Sequence, residues 1–266
     1  MTTTTRPDVE QKSRLGWAVS DTLAITGRNL TALVRVPQVL VFAVVQPVLF
    51  VLMFRYVFGG AIRVPGVDYV NFLMPGIFVQ TVTFGAINTG IGLAEDLGKG
   101  LIERFRSLPM ARSAVLAGRT LADLTRNLLV VVLMLLVGFA VGFRVQTTAL
   151  AFLGAVLLLL AFSFALSWLF ALIGMSVPNA ESAQAASFPL LMPLVFASSA
   201  FVPLESMPGW LQAFSERQPV TITVEAVRAL VLGGPTATAV LQSLAWSVAL
   251  VAIFAPLAVR RYRRAA

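Results

Sequence analysis

Apolar residues fall into six long runs: Val39 to Phe58, Phe72 to Leu93, Leu128 to Phe143, Leu150 to Met175, Ala185 to Val202 and Val240 to Val259. A helix crossing the hydrocarbon of a bilayer needs roughly 20 mostly apolar residues. Within lipid, a helix pairs every backbone donor and acceptor inside its own segment. The runs therefore predict an all-α integral membrane protein, a single transmembrane domain over 1–266 with six transmembrane helices. The third helix starts earlier if the stretch from Arg119 to Arg126 is its cytoplasmic first turn.

The segments between the runs carry patterns of their own. Ahead of the first, Leu15, Val19, Leu23, Thr26, Leu30 and Leu33 recur at steps of three or four, with Arg14, Asp21, Arg28 and Arg35 on roughly the other side. This spacing predicts an amphipathic helix over 12–36 lying in the membrane interface, as an anchor or as a contact for a partner. The loop over 94–112 opens with Glu95 and Asp96, which suit a helix N-terminus. Leu101, Ile102, Phe105 and Leu108 then form one apolar edge, Glu103, Arg104 and Arg106 point elsewhere, and Pro109 stops the turn. Such a short helix either seats in a groove of a soluble partner or lies in the interface alone.

The segment over 203–236 reads as two short helices that form a re-entrant hairpin. The first has Ser206 as its cap, Pro208 early, and then Trp210, Leu211 and Phe214. The second starts after Pro219, carries Val220, Val224, Val227 and Val231 at helical spacing, and stops at Gly233-Gly234-Pro235. Glu225 and Arg228 sit three apart and can pair, and Trp210 suits an aromatic belt at the membrane surface. The hairpin is either a lid over the bundle or a gate, with Trp210, Phe214, Glu225 and Arg228 as its candidate residues.

Charge then sets the sidedness. With six spans, fifteen of the 20 Lys+Arg residues fall on the face that holds both termini and the loop between spans two and three. Only Arg55, Arg63, Arg144, Arg217 and Arg228 fall on the other. Cytoplasmic segments carry the excess of basic residues, so both termini are expected in the cytoplasm and the hairpin outside. No apolar core follows the basic residues of the first 36 positions, so no cleaved signal peptide is expected.

Composition removes most chemistry. At 58% apolar and 12% charged residues, with a mean hydropathy of +0.87, the chain is no soluble enzyme. It has neither Cys nor His, so thiolate nucleophiles, disulfides and the commonest metal ligand are absent, and a membrane enzyme of lipid metabolism is disfavoured. No phosphate-binding GxxxxGK[ST] occurs. No Asp, Glu or Lys lies in the apolar core of an expected span, so a proton relay is not expected. Neither a metal nor a cofactor is expected in this chain. The basic balance belongs to the cytoplasmic leaflet rather than to nucleic acid. What remains is a set of uncharged polar side chains within the spans: Gln46, Gln80, Asn88, Ser163, Ser198 and Gln242. Each can serve helix packing. Together with 19 Phe and 8 Met they also suit a pathway for a bulky, mostly apolar cargo.

Two stretches carry a family likeness. GLIERFRSLPMARSAVLAGRTLADLTRNLL, from Gly100 to Leu129, resembles the cytoplasmic loop and the start of the third helix in ATP-binding-cassette exporter permeases of the daunorubicin-resistance class. FVPLESMPGWLQAFSERQPVTITVEAVRALVLGGP, from Phe201 to Pro235, resembles the segment before the last helix of the same family, notably in MPGWLQ, PVT and A-x-R-A-L. The chain departs from the family where Gln218-Pro219 stands for the usual Asn-Pro. The resemblance implies a permease in the bacterial cell membrane with no nucleotide site of its own. It implies a separate cytoplasmic ATPase, present in two copies, that binds ATP and Mg, and a second permease chain, identical or paralogous. It further implies that Glu95, Asp96 and the run from Leu101 to Leu108 form the coupling helix that seats in the ATPase. Outward movement of drugs, polyketides or envelope lipids and glycans would follow. A passive channel or secondary carrier for hydrophobic solutes is the alternative, and it differs in needing no ATP.

Overall fold

The computed structural model describes residues 27, 31, 37–62, 64, 66–100 and 112–265. The expected interfacial helix over 12–36, apart from Gly27 and Thr31, and the run from Leu101 to Leu108 lie outside the described residues. Among the described residues eight α-helices follow one another: α1 (Pro37–Leu52), α2 (Tyr69–Gly98), α3 (Arg112–Ala140), α4 (Ala149–Gly174), α5 (Ala180–Phe196), α6 (Gly209–Ser215), α7 (Pro219–Leu232) and α8 (Ala237–Ala265). A π-helical turn, Met53–Phe58, continues α1. Among the described residues no strand occurs.

Among the described residues four stretches are long and apolar enough to cross a membrane: Tyr69–Gly98, Thr120–Ala140, Ala149–Gly174 and Ala237–Tyr262. This is a helical membrane protein. Helix α3 takes the earlier of its two expected starts and goes beyond it: it begins at Arg112 and its apolar stretch at Thr120, which places Asp123 and Arg126 inside the helix. Helix α5 has 17 residues, contains Pro189 and Pro193, and ends at Phe196, short of the expected Val202. There the Ser198 hydroxyl donates to the Val195 carbonyl and accepts from the Ala200 amide, turning the chain.

Helix α2 is the centre. It packs on α4 most extensively, and also on α5, α3, α7 and α1, while α8 covers the far side of α4. Ala or larger is excluded where backbones touch. A methyl group at Gly90 would meet the Phe170 carbonyl, one at Gly174 the Gly90 carbonyl, and one at Gly76 the Ala200 carbonyl. Small residues let membrane helices approach this closely, so dispersion and interhelical polar contacts replace the missing hydrophobic drive.

Contacts sort the connections into two ends. At one end the Tyr69 hydroxyl donates to Phe201 O, the Arg144 amide to Asn71 Oδ1 and the Gln146 amide to Val231 O. That end therefore joins the start of α2, the α3–α4 turn and the end of α7. Phe201 there stacks on Phe54 at 4.5 Å and lies 5.8 Å from Phe50 and 5.5 Å from Phe196. At the opposite end Leu93, Ala171, Met175, Ala258 and Tyr262 cluster, and Arg261 Nε donates to Met175 O. A cation on the last carbonyls of α4 suits its helix dipole.

Replacing Gly174 by Val should lower the thermal midpoint in detergent, at a cost of about 1–3 kcal/mol, because backbone on α2 cannot yield. Gly154→Val is the control, since only Leu230 lies within 4 Å of a Cβ there. Equal melting of the two variants would contradict the close α2–α4 crossing.

Candidate functional site

Helix α2 repeats a motif every turn: Gln80, Phe84 and Asn88 share one face at steps of four. That face borders a cleft of about 180 Å³ between α1, α2, α3 and α5. Helix α1 adds Gln46 and Pro47, α3 adds Arg126, Asn127 and Val130, and α5 adds Gln184 and Phe188. Gln46 and Asn88 are exposed, and Gln80 is 1% exposed. The Gln80 Oε1 atom is buried with no hydrogen-bond partner, so its carboxamide carries unused bonding capacity at the cleft wall. Carboxamides and one guanidinium set among Phe, Pro, Val and Ile side chains can hold an amphiphile, with apolar contact for its body and hydrogen bonds for its polar edge.

Of the six sequence-derived pathway residues, three converge on this cleft: Gln46, Gln80 and Asn88. Ser163 stands behind its wall and accepts from Asn127 Nδ2 at 2.6 Å. Ser198 lies in the turn after α5, and Gln242 is exposed on α8. The sequence reading did not single out Arg126, Asn127, Gln184, Asp123 or Thr89. Arg119, Asp123 and Arg126 stood at helical spacing before an apolar run, and Gln184 stood four before Phe188, but only packing shows which faces meet.

The polar interior next to the cleft is continuous. Asp123 and Arg126 pair at 3.4 Å with side chains 13% and 11% exposed. Thr89 Oγ1 donates to Asp123 Oδ2 at 2.6 Å, and Arg126 Nη2 donates to Gly85 O at 2.7 Å. Charge this far inside persists only when paired and hydrogen-bonded.

At the other end a larger cavity of about 770 Å³ lies between Ile62, Val64, Phe72, Leu204, Glu205, Glu225 and Arg228. Helix α7 presents the last two because Val220, Val224, Val227 and Val231 bury its opposite side, each at 1% exposure or less. Gln218 caps that helix: its Oε1 accepts from the Val220 amide at 3.0 Å, and its Nε2 donates to Leu194 O at 2.8 Å and Thr221 Oγ1 at 3.0 Å. The longer side chain thus starts the helix and ties it to α5. Gly233, at φ +99°, ends it. Helix α6 starts at Gly209 without a side-chain cap, and Ser206 instead donates to Pro203 O.

Arg228 knots this end together. Its Nη1 donates to Glu225 Oε1 at 2.6 Å, its Nη2 to Ser199 O at 2.8 Å and Phe72 O at 3.1 Å, and its Cζ sits 3.8 Å from the Phe72 ring centre. Burial lowers the guanidinium pKa from its ordinary value, while the Glu225 carboxylate, by charge and hydrogen bond, raises it. Arginine stays protonated throughout and acts here as a fixed cation. Of the four hairpin candidates, Glu225 and Arg228 line the cavity; Trp210, at 76% exposure, and Phe214 face outward.

Residues 20–232 match the family described as ABC-2 type transporter. The chain is 39% identical over 246 residues to the daunorubicin resistance ABC transporter permease protein DrrB1 of Streptomyces coeruleorubidus, covering 92% of this chain and 87% of that one. It is 29% identical over 250 residues to the probable doxorubicin resistance ABC transporter permease protein DrrC of Mycobacterium tuberculosis, covering 93% and 90%. It is 28% identical over 219 residues to the putative transport permease ycf38 of Cyanophora paradoxa, covering 80% and 74%.

Arg228→Lys should destabilise the protein by about 1–3 kcal/mol in a thermal melt, because one ammonium cannot serve the carboxylate and two backbone carbonyls together. A melting point equal to wild type would show the knot to be dispensable.

Proposed function

This chain belongs to the ABC-2 type transporter family, and we propose that it is the permease subunit of an ATP-driven exporter that moves a bulky hydrophobic cargo outward. It is a membrane subunit of an ABC transporter and not itself an enzyme. In this reading two permease chains, identical or paralogous, pair with two copies of a cytoplasmic ATPase that holds ATP and Mg. Six spans serve it, with α1 plus its π continuation as the first and α5 as the fifth. Both termini and the α2–α3 connection face the cytoplasm, and α6–α7 form the outer re-entrant hairpin. Two observations support this topology: the ends defined by interhelical contacts, and the excess of basic residues on the end that holds Arg261.

The cleft carries the functional reading. Gln46, Gln80 and Asn88 reach it from two helices and stand among aromatic and aliphatic side chains, which suits an amphiphile and no small ion. Cargo enters there, passes between the permease copies and leaves past the cavity of Glu225 and Arg228. Trp210 and Phe214 shape the outer surface beside it. ATP binding draws the two ATPases together, and the coupling segment passes that motion to the spans. Glu95 and Asp96, which lie in the last turn of α2 and not at the start of a new helix, lead into that segment, with Leu101, Ile102, Glu103, Arg104, Phe105, Arg106 and Leu108. A cargo is moved only if it binds the two conformations with different affinity.

Proteoliposomes holding the permease and its ATPase test the proposal. Outward movement of Hoechst 33342, daunorubicin and a fluorescent phospholipid, run in parallel, separates the cargo classes. Transport should need ATP and should cease when the ATPase loses its phosphate-binding lysine; transport that persists would favour the passive carrier. Arg104→Glu with Phe105→Asp should release the ATPase on size exclusion and abolish cargo-stimulated hydrolysis. Unchanged assembly and stimulation would remove the coupling role.

A further inference from the structure

Helices α2 and α3 are joined by residues 99–111, so a push on that connection is carried along the chain into these two helices, both of which border the cleft. They are tied together shortly above the connection. Thr89, nine residues before the end of α2, donates to one carboxylate oxygen of Asp123, eleven residues into α3. Arg126, one turn further on, pairs with the other oxygen and donates to the Gly85 carbonyl, one turn back along α2. Its neighbour Asn127 continues the tie to Ser163 on α4. The two helices pack closely here, since a Cβ at Gly85 would meet Asn127 Oδ1. Two side-chain donors, the Thr89 hydroxyl and the Arg126 guanidinium, thus fill both oxygens of a largely buried carboxylate and fix the register of two helices.

Two of the four groups also face elsewhere. Arg126 and Gly85 line the cleft, whereas Thr89 and Asp123 do not. The tie therefore has a cargo side and a structural side. We infer that Thr89, Asp123, Arg126 and Gly85 form a clasp that makes α2 and α3 one lever, with Thr89 and Asp123 as positioning residues and Arg126 as the point where a bound cargo touches the lever. Without the clasp, a displacement of residues 99–111 would be lost as the helices slip; with it, the displacement arrives at the cleft wall. The inference rests on the exporter reading for its consequence and on the geometry alone for the clasp.

Thr89→Val removes the donor at nearly constant volume, Thr89→Ser keeps it, and Asp123→Asn removes the charge at constant size. In proteoliposomes with the ATPase, basal hydrolysis should stay near wild type in all three. Export of Hoechst 33342 and hydrolysis stimulated by it should fall about tenfold in Thr89→Val and Asp123→Asn, and Thr89→Ser should restore both. A uniform fall in basal and stimulated hydrolysis, or export at wild-type rate, overturns the coupling role. The clasp is read separately on the permease alone. Because the chain has no cysteine, Gly98→Cys and Leu121→Cys accept spin labels at two chosen places, both exposed. Electron–electron distance measurement should give one narrow distribution, broadened by Thr89→Val or Asp123→Asn; unchanged width overturns the clasp. Failure of the permease to bind an ATPase or to move the dye would instead sink the exporter reading, and the distance measurement would still decide the clasp.

Discussion

A helix enclosed by other helices within lipid has no water to satisfy its polar groups and little room for side chains at its closest crossings. Helix α2 is in that position, and the rest of the bundle answers to it. Its hydroxyls turn back on its own carbonyls, Thr81 to Ile77 and Thr83 to Val79. Its glycines admit the backbones of α4 and of the turn after α5. Polar groups it cannot satisfy internally reach outward: Thr89 to Asp123, Asn71 to the Arg144 amide, and Gln80 toward the cleft. Burial of a polar group without a partner is costly, so each such position reports either a structural tie or a site left open for something else.

The two ends of the bundle solve different problems with the same residue type. Near the α2–α3 connection, Arg126 is held by a carboxylate and a backbone carbonyl from two helices. At the opposite end, Arg228 is held by a carboxylate, two backbone carbonyls and an aromatic face. Arginine suits both because its planar fork of donors satisfies several acceptors at once and keeps its charge. One arginine borders the cleft and the other the larger cavity at the opposite end, so under the proposed function a cargo travelling between them would pass a fixed cation at each.

Much of this was legible in the chain. The apolar runs overlapped each of the four long apolar helices among the described residues, though the third run began well inside its helix, and the valine spacing of the hairpin picked out the buried side of α7 at all four positions. The third helix shows where the pattern stops being informative. The stretch from Arg119 to Arg126 offered a cytoplasmic first turn as one reading, yet Asp123 and Arg126 lie inside the bundle, where Thr89 and the Gly85 carbonyl receive them. Likewise Gln46, Gln80, Ser198 and Gln242 look equivalent in sequence, and only two of them share a cleft.

The sequence by itself determined what each segment can be: membrane-crossing, all-helical, poor in catalytic groups, and a member of a permease family. These follow from composition, from periodicity and from runs of matching residues, all of which are properties of the chain taken in order. Tertiary structure alone decided which polar groups meet. Helix faces come together at angles and depths set by glycines and bulky side chains far apart in the chain, such as Gly90 with Gly174 or Arg228 with Phe72. A hydrogen bond requires an approach of about 3 Å, and periodicity on a single helix carries no information about its neighbour at that scale.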